Sequence, residues 1–160
     1  MNEDQLLICY DGSESARRAI ESAAALFGER HAVVLDVAPP LTGAEAYASL
    51  ATLPPAFEEW NQEEALRRAE EGAKIARRAG LIAEARASMA APTWEGVVDV
   101  ADEIDAAVIV IGSRGLKGAR ELFEGSLSHE VAEHARRPVM IVPPSQPARG
   151  SDAPDHQRGR

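Results

Sequence analysis

The chain holds a single cysteine, Cys9. No intramolecular disulfide and no zinc-type cysteine cluster can form from it. Its place inside the apolar run Leu6-Leu7-Ile8-Cys9-Tyr10 marks it as a small core residue. Aromatic residues are scarce, at 4%, and the apolar content is mostly Ala, Val, Leu and Ile, which suits helices packed on a central sheet. Basic residues are outnumbered, 17 Lys and Arg against 26 Asp and Glu, for a net charge of −9. That balance argues against nonspecific nucleic-acid binding, in which a basic patch supplies most of the affinity. No apolar stretch approaches the ~20 residues needed to span a bilayer, and no basic segment followed by an apolar core marks a signal peptide at the N-terminus. The expected setting is the cytoplasm, with neither membrane nor nucleic acid as a partner.

With 160 residues the chain suits one domain with a sizeable core. The continuous apolar run Leu6–Tyr10 reads as a strand buried on both faces, Ala106–Ile111 as a further buried strand, and Ala32–Val37, which includes Asp36, and Pro138–Val142 as two more strands. A weaker strand is expected at Leu81–Ala87, with Ile82 as its best apolar anchor. Between the strands, apolar residues recur at helical spacing. Ala16, Ala19, Ile20, Ala23, Ala24 and Phe27 form the first such face, with Gly28 as its stop. Ala65, Ala69, Ala73 and Ala76 share one face of a charged helix over about 56–79, which Gly80 ends. Trp94, Val97, Val98, Ala101 and Ile104 form a third stripe after Pro92-Thr93. Leu127, Val131 and Ala135 form a fourth. Alternating strands and helices imply an α/β fold with a parallel sheet and right-handed crossovers. Residues 38 to about 55 make a long Pro-, Gly- and Ala-rich connection of the kind that is often functional. The ordered domain is expected over 1–143, and residues 144–160, without apolar periodicity, read as a disordered tail dispensable for binding.

The strongest chemical signal follows the strand Ala106–Ile111. Gly112-Ser113-Arg114-Gly115 comes next, then nine residues, then Gly125-Ser126 at the opening of a helix. Glycine lets the backbone approach an anion closely, and a helix N-terminus offers unpaired N–H groups and partial positive charge. The pattern reads as a nucleotide phosphate site. Arg114 and Lys117 are the nearest cations for a β- or γ-phosphate, with solvated loop charge as the bland reading. Turn geometry without a ligand is the bland reading of Gly115 and Gly125.

Rival chemistries fit less well. A P-loop needs Gly-Lys-Ser/Thr at the helix start, whereas Lys117-Gly118-Ala119 has the wrong order. The dinucleotide glycine fingerprint is missing after the first strand. Ser126 and His129 are three apart, but the Gly-x-Ser-x-Gly elbow and a third orienting group are lacking. Ser126 is more simply a helix N-cap or a phosphate ligand. His31, His134 and His156 are scattered without metal-ligand spacing, and no metal ligands are assigned. Asp102, Glu103 and Asp105 read as a solvated helix end. Trp94 and Trp60 are both read as packing residues, with cofactor stacking by Trp60 the less favoured alternative.

Gly-x-x-Gly, nine residues and Gly-Ser after the fourth strand resemble the universal stress protein family. So do Asp11-Gly12-Ser13 after the first strand and the ending from Ser126 through His134 to Arg137-Pro138-Val139-Met140-Ile141-Val142-Pro143. The resemblance covers about residues 4–143. It implies a single doubly wound, Rossmann-like sheet of five parallel strands in the order 3-2-1-4-5, with helices on both faces. In that order the chain reverses direction between strands 1 and 4, where ligands of open α/β sheets bind. Members with this glycine pattern are typically ATP binders. Carried over by position, Asp11 and Val37 would meet the adenosine, with Gly12 and Ser13 in the same turn. Ile111 and Gly112 would flank the ribose and α-phosphate. Gly115, Gly125, Ser126 and Leu127 would bind phosphates, mainly through backbone N–H groups. Leu127 departs from the family's frequent valine, a change that a backbone contact survives.

The implied function is that of an ATP-binding stress-response or regulatory protein without a catalytic residue, AMP or ADP being alternative ligands. Mg²⁺ is compatible with the phosphates. Further expectations are a homodimer through Val139–Val142 and an unidentified protein partner. Two alternatives stay open: a weak ATPase or self-phosphorylating enzyme, and a nucleotide-free dimeric scaffold.

Overall fold

A computed structural model describes residues 5–40, 57–113 and 127–144. The elements in chain order are β1 (Leu6–Cys9), α1 (Glu14–Phe27), β2 (His31–Ala38), α2 (Phe57–Arg78), β3 (Ile82–Met89), α3 (Thr93–Glu103), β4 (Val108–Gly112), α4 (Leu127–His134) and β5 (Val139–Val142). All strand pairings are parallel, in the order β3-β2-β1-β4-β5. The expected five-stranded order is thus observed. The chain builds outward from β1 through β2 to β3, then crosses back to place β4 on the other side of β1.

Strand periodicity of two sends alternate residues to opposite faces, and two core layers result. Leu6, Ile8, Tyr10, Ala32, Val34, Val108 and Val110 face α1 and α2, and meet Ala16, Ala19, Ile20, Ala23, Ala73 and Ala76. Leu7, Cys9, Val33, Leu35, Ile109 and Ile111 face α3 and α4, and meet Val97, Val100, Ala101 and Val131. The alanine stripe of α2 is fully buried from Ala65 to Ala76. Small side chains on that stripe let the helix lie close to the sheet, and Gly72 lies where a Cβ would come within 2.7 Å of the Tyr10 ring.

Three sequence expectations about packing fail. Ile82 is 53% exposed. It starts an edge strand whose Ala83 and Ala85 turn to the α1–α2 layer, so the alternation points Ile82 to the opposite side. Leu81, just before the strand, is the buried residue. Trp60 is 58% exposed, because it precedes the buried stripe of α2, which begins at Ala65. In α3 the buried set includes Val100 and leaves Val98 half-buried.

Asp102, Glu103 and Asp105 are exposed but are not simply solvated. Arg137 donates to Asp102 Oδ1 at 2.6 Å and stands 3.8 Å from Asp105 Oδ1. Arg86 pairs with Glu103. Two arginines therefore tie the end of α3 to β3 and to the segment entering β5. The putting of Asn61 Nδ2 on the Pro39 carbonyl, at 2.9 Å, likewise joins the start of α2 to the exit of β2.

Candidate functional site

The carboxyl ends of β1, β2 and β4 come together where the sheet order reverses. Cys9 pairs with Leu35 and Ile8 with Val110, and Tyr10 N–H extends the ladder to the Leu35 carbonyl at 2.8 Å. The turn Asp11-Gly12-Ser13 leaves β1 here. Gly12 takes φ +83°, a left-handed conformation that an L side chain adopts only at a cost. Asp11 Oδ1 accepts from the Ser13 N–H at 3.0 Å. Ser13 is the N-cap of α1, its Oγ accepting from the Ala16 N–H at 3.2 Å and meeting Ser15 Oγ at 3.1 Å. Asp11 and Ser13 thus shape the turn themselves.

Gly112 ends β4 against the start of α1. A Cβ there would stand 2.2 Å from the Ser15 carbonyl oxygen and 2.4 Å from its carbon. Only a residue without a side chain permits this approach of strand end to helix start. Beyond it, the Ser113 N–H and Oγ both donate to the Val142 carbonyl, at 2.8 and 3.0 Å, which anchors the exit of β4 to β5. Ile111 is buried in the α3–α4 layer, so its side chain is a core residue and only its backbone is placed at the strand end. Val37 is half-buried near the end of β2. Leu127 is the first residue of α4 and packs against the same layer.

The fold therefore brings Asp11, Gly12, Ser13, Val37, Ile111 and Gly112 to the carboxyl ends of the sheet's three interior strands. Arg114, Gly115, Lys117, Gly125 and Ser126 lie outside the described residues, as does the expected 144–160 tail beyond its first residue.

Two charged residues at this end of the sheet were not legible as site residues. Asp36, next to Val37, is 5% exposed. Its Oδ2 accepts from Arg68 Nε of α2 at 2.5 Å. Burial pushes the Asp36 carboxyl above its usual range, the Arg68 hydrogen bond and charge oppose this, and the Asp11 charge adds to the rise. The available signal is a carboxylate inside an apolar strand, which requires a cation. Sequence alone does not say which of the many arginines supplies it.

Cys9 belongs to the same neighbourhood but not to its chemistry. Burial, followed by the charges of Asp11 and Asp36, pushes its thiol up to about 12. The thiolate is the reactive form, so the native protein should resist Ellman's reagent at about pH 8 and react fully once unfolded in guanidinium. Rapid modification of the native protein would contradict this burial.

On α4, Glu130, Glu133 and His134 bring ligand-type atoms within 4.8 Å of one another. The His134 ring stacks on Trp94 at 4.1 Å, and its Nδ1 lies 2.8 Å from the Glu130 carbonyl oxygen. These contacts give His134 a packing role. Among the described residues, no helix is long and apolar enough to cross a membrane.

The sheet is doubly wound and parallel, and its order reverses between β1 and β4, with Gly12 and Gly112 at that point; in open α/β sheets this is where ligands bind. The universal stress protein family model matches residues 3–143, and the chain belongs to that family of stress-response proteins. It is 31% identical over 151 residues to universal stress protein YxiE of Bacillus subtilis, an alignment covering 87% of this chain and 98% of the relative. Its fold is similar to that of the protein MJ0577, with TM-score 0.71 at 21% identity over 92% of this chain and 100% of that one. It is also similar to a universal stress protein from Archaeoglobus fulgidus in complex with dAMP, with TM-score 0.58 at 24% identity over 89% of this chain and 99% of that one. A universal stress protein in complex with cAMP matches with TM-score 0.64 at 23% identity, over 87% of this chain and 96% of that one.

Proposed function

We propose that the protein binds an adenine nucleotide, with ATP as the preferred ligand, and acts as a nucleotide-dependent regulator rather than as an enzyme. The observation that carries the reading is the meeting of the Asp11–Ser13 turn, the end of β2 and Gly112 at the reversal of the sheet. Similar folds in complex with cAMP and dAMP lend it support. Asp11 and the backbone at Val37 hold the nucleoside, with Gly12 and Ser13 shaping that wall. The backbone of Ile111 and Gly112 flanks the ribose and α-phosphate. Gly115, Gly125, Ser126 and Leu127 donate backbone N–H groups to the phosphates, helped by Arg114 or Lys117, and Mg²⁺ accompanies the phosphates. Binding changes the surface offered to a protein partner in the cytoplasm. The nucleotide-binding domain is 1–143, and removal of residues 145–160 leaves affinity unchanged.

The test is a titration of ATP–Mg into nucleotide-free wild type and Gly115→Val. A valine side chain denies the phosphates close approach to the backbone, and affinity should fall at least about ten-fold, the loss of one charge-assisted hydrogen bond. Equal affinity in both proteins contradicts the phosphate cradle. Phosphate release during the same incubation separates a binder from an ATPase, and the expected rate is at background.

β5 leaves one sheet edge open, with Ile141 43% exposed. An apolar edge strand invites pairing with another chain, and we place a homodimer contact at Val139–Val142. Light scattering at micromolar concentration should give twice the chain mass, and Ile141→Lys should lower it toward the monomer. A monomeric wild type contradicts this interface.

A further inference from the structure

The sheet has a second open edge at β3, which among the described residues pairs only with β2. Ile82 N–H donates to the Arg30 carbonyl at 2.9 Å, and Ala90 N–H to the Ala38 carbonyl at 3.1 Å. In a parallel ladder this commits the backbone groups of Glu84, Arg86 and Ser88 to β2 and turns those of Ala83, Ala85 and Ala87 outward. Arg77 Nη1 donates to the Ala83 carbonyl at 2.7 Å, in keeping with that outward direction, and covers the first of these positions. Ala85 and Ala87 follow, with side chains too small to shield their own backbone.

A groove of about 470 Å³ runs beside Ala85 and Ala87. Its other wall is one flank of α2, where Glu59, Glu63 and Leu66 recur at helical spacing. Leu66 is 43% exposed. Glu59 and Glu63 are exposed and have no ion-pair partner among the described residues. Arg86 also borders the groove, but its guanidinium pairs with Glu103 of α3, which packs on the opposite face of the sheet. α2 ends just before β3 begins, with Leu81 N–H on the Ala76 carbonyl. The helix therefore runs back along the strand, and Glu59 lies toward the Ala87 end.

We propose that this edge docks an extended, cationic segment of a partner protein, which adds to β3 as a further strand. The inference does not depend on the nucleotide reading above. The incoming backbone bonds to Ala85 and Ala87, and its alternate side chains enter the groove ~7 Å apart. An apolar one covers Leu66. Basic ones meet Glu63 and Glu59, the latter about 10 Å from Leu66 along the helix. The net charge of −9 favours the approach of a cationic segment. A second copy of this chain on the same edge would set one acidic flank of α2 against another.

The probe is the labelled peptide Thr-Leu-Thr-Lys-Thr-Lys-Thr, which puts leucine and both lysines on one face of a strand. Its counterpart carries glutamate in place of both lysines. Each is titrated at low salt into the full-length protein. The lysine peptide should bind saturably, and the glutamate peptide at least about five-fold more weakly. Glu59→Gln combined with Glu63→Gln should weaken the lysine peptide about five-fold, the worth of two exposed ion pairs. Strand addition is read separately, by amide hydrogen exchange in the wild type. The Ala85 and Ala87 amides should exchange at least about ten-fold more slowly in the complex, while Glu84 and Arg86, already bonded to β2, change little.

No saturable binding of the lysine peptide overturns the proposal. So does binding that leaves exchange at Ala85 and Ala87 unchanged, because the edge is then not used. Equal affinity for the two peptides, or full affinity in the double variant, overturns the cationic specificity. Exchange at these two amides that slows with protein concentration alone assigns the edge to a second copy of this chain and overturns the proposal as well.

Discussion

Gly112→Ala should destabilise the protein by about 3 kcal/mol and lower its Tm by about 10 °C. A methyl group at this position would enter the carbonyl of Ser15, at 2.2 Å from oxygen and 2.4 Å from carbon, and would stand 2.9 Å from the Ala16 nitrogen. These are backbone atoms of the first turn of α1, so no side-chain rotamer relieves the clash. Either β4 or α1 must move. The Ser13 cap fixes the start of α1, and the pairing of β4 with both β1 and β5 fixes the strand. The displacement therefore falls on the end of the sheet where the nucleotide is proposed to bind, and ligand affinity should drop along with stability. Thermal unfolding of wild type and variant checks the first part. A Tm within a degree or so of wild type would show that the strand end and helix start have room that the structure denies them.

Arg137→Ala should be the next most damaging change, at about 2 kcal/mol. Arg137 is 15% exposed and donates to the backbone carbonyl of Ala106 as well as to Asp102. Ala106 is buried at the entry to β4. Removing the guanidinium leaves that carbonyl without this donor and frees two carboxylates at the end of α3. Most of the loss should come from the buried carbonyl, because Asp102 and Asp105 are half or more exposed and their pairing is screened by solvent. Arg137→Lys should recover only part of it, since one ammonium does not reproduce the fork that serves a carbonyl and a carboxylate together. Denaturant unfolding of the three proteins gives the comparison. Full recovery by lysine would reduce the role of Arg137 to its charge.

The sequence made the sheet legible because apolar runs in β1 and β4 are buried on both faces, a condition only central parallel strands meet. The alanine stripe of α2 was equally readable, since four alanines at helical spacing have no other explanation. Edge positions were harder. Ile82 and Trp60 are large and apolar, but burial depends on what covers them, and neither lies under a packed element. The acidic end of α3 looked solvated because its partners, Arg86 and Arg137, are distant in sequence. The Asp11–Ser13 turn and Gly112 were identified from motif and strand context, and their proximity is a consequence of the order β2-β1-β4. The Asp36–Arg68 pair is not legible in the sequence, because a contact across 32 residues between a strand and a helix leaves no local pattern.

We propose that the carboxyl end of the sheet, where its order reverses, takes an adenine nucleotide. The most direct measurement is equilibrium binding of ATP–Mg and AMP to protein stripped of small molecules, preceded by ion-exchange chromatography of whatever the freshly purified protein releases on denaturation. Saturable binding at one site per chain is expected, with adenine nucleotide in the released fraction if the site is filled during expression. No saturable binding of either nucleotide by the stripped protein would contradict it and leave a family scaffold whose glycines serve the turns alone.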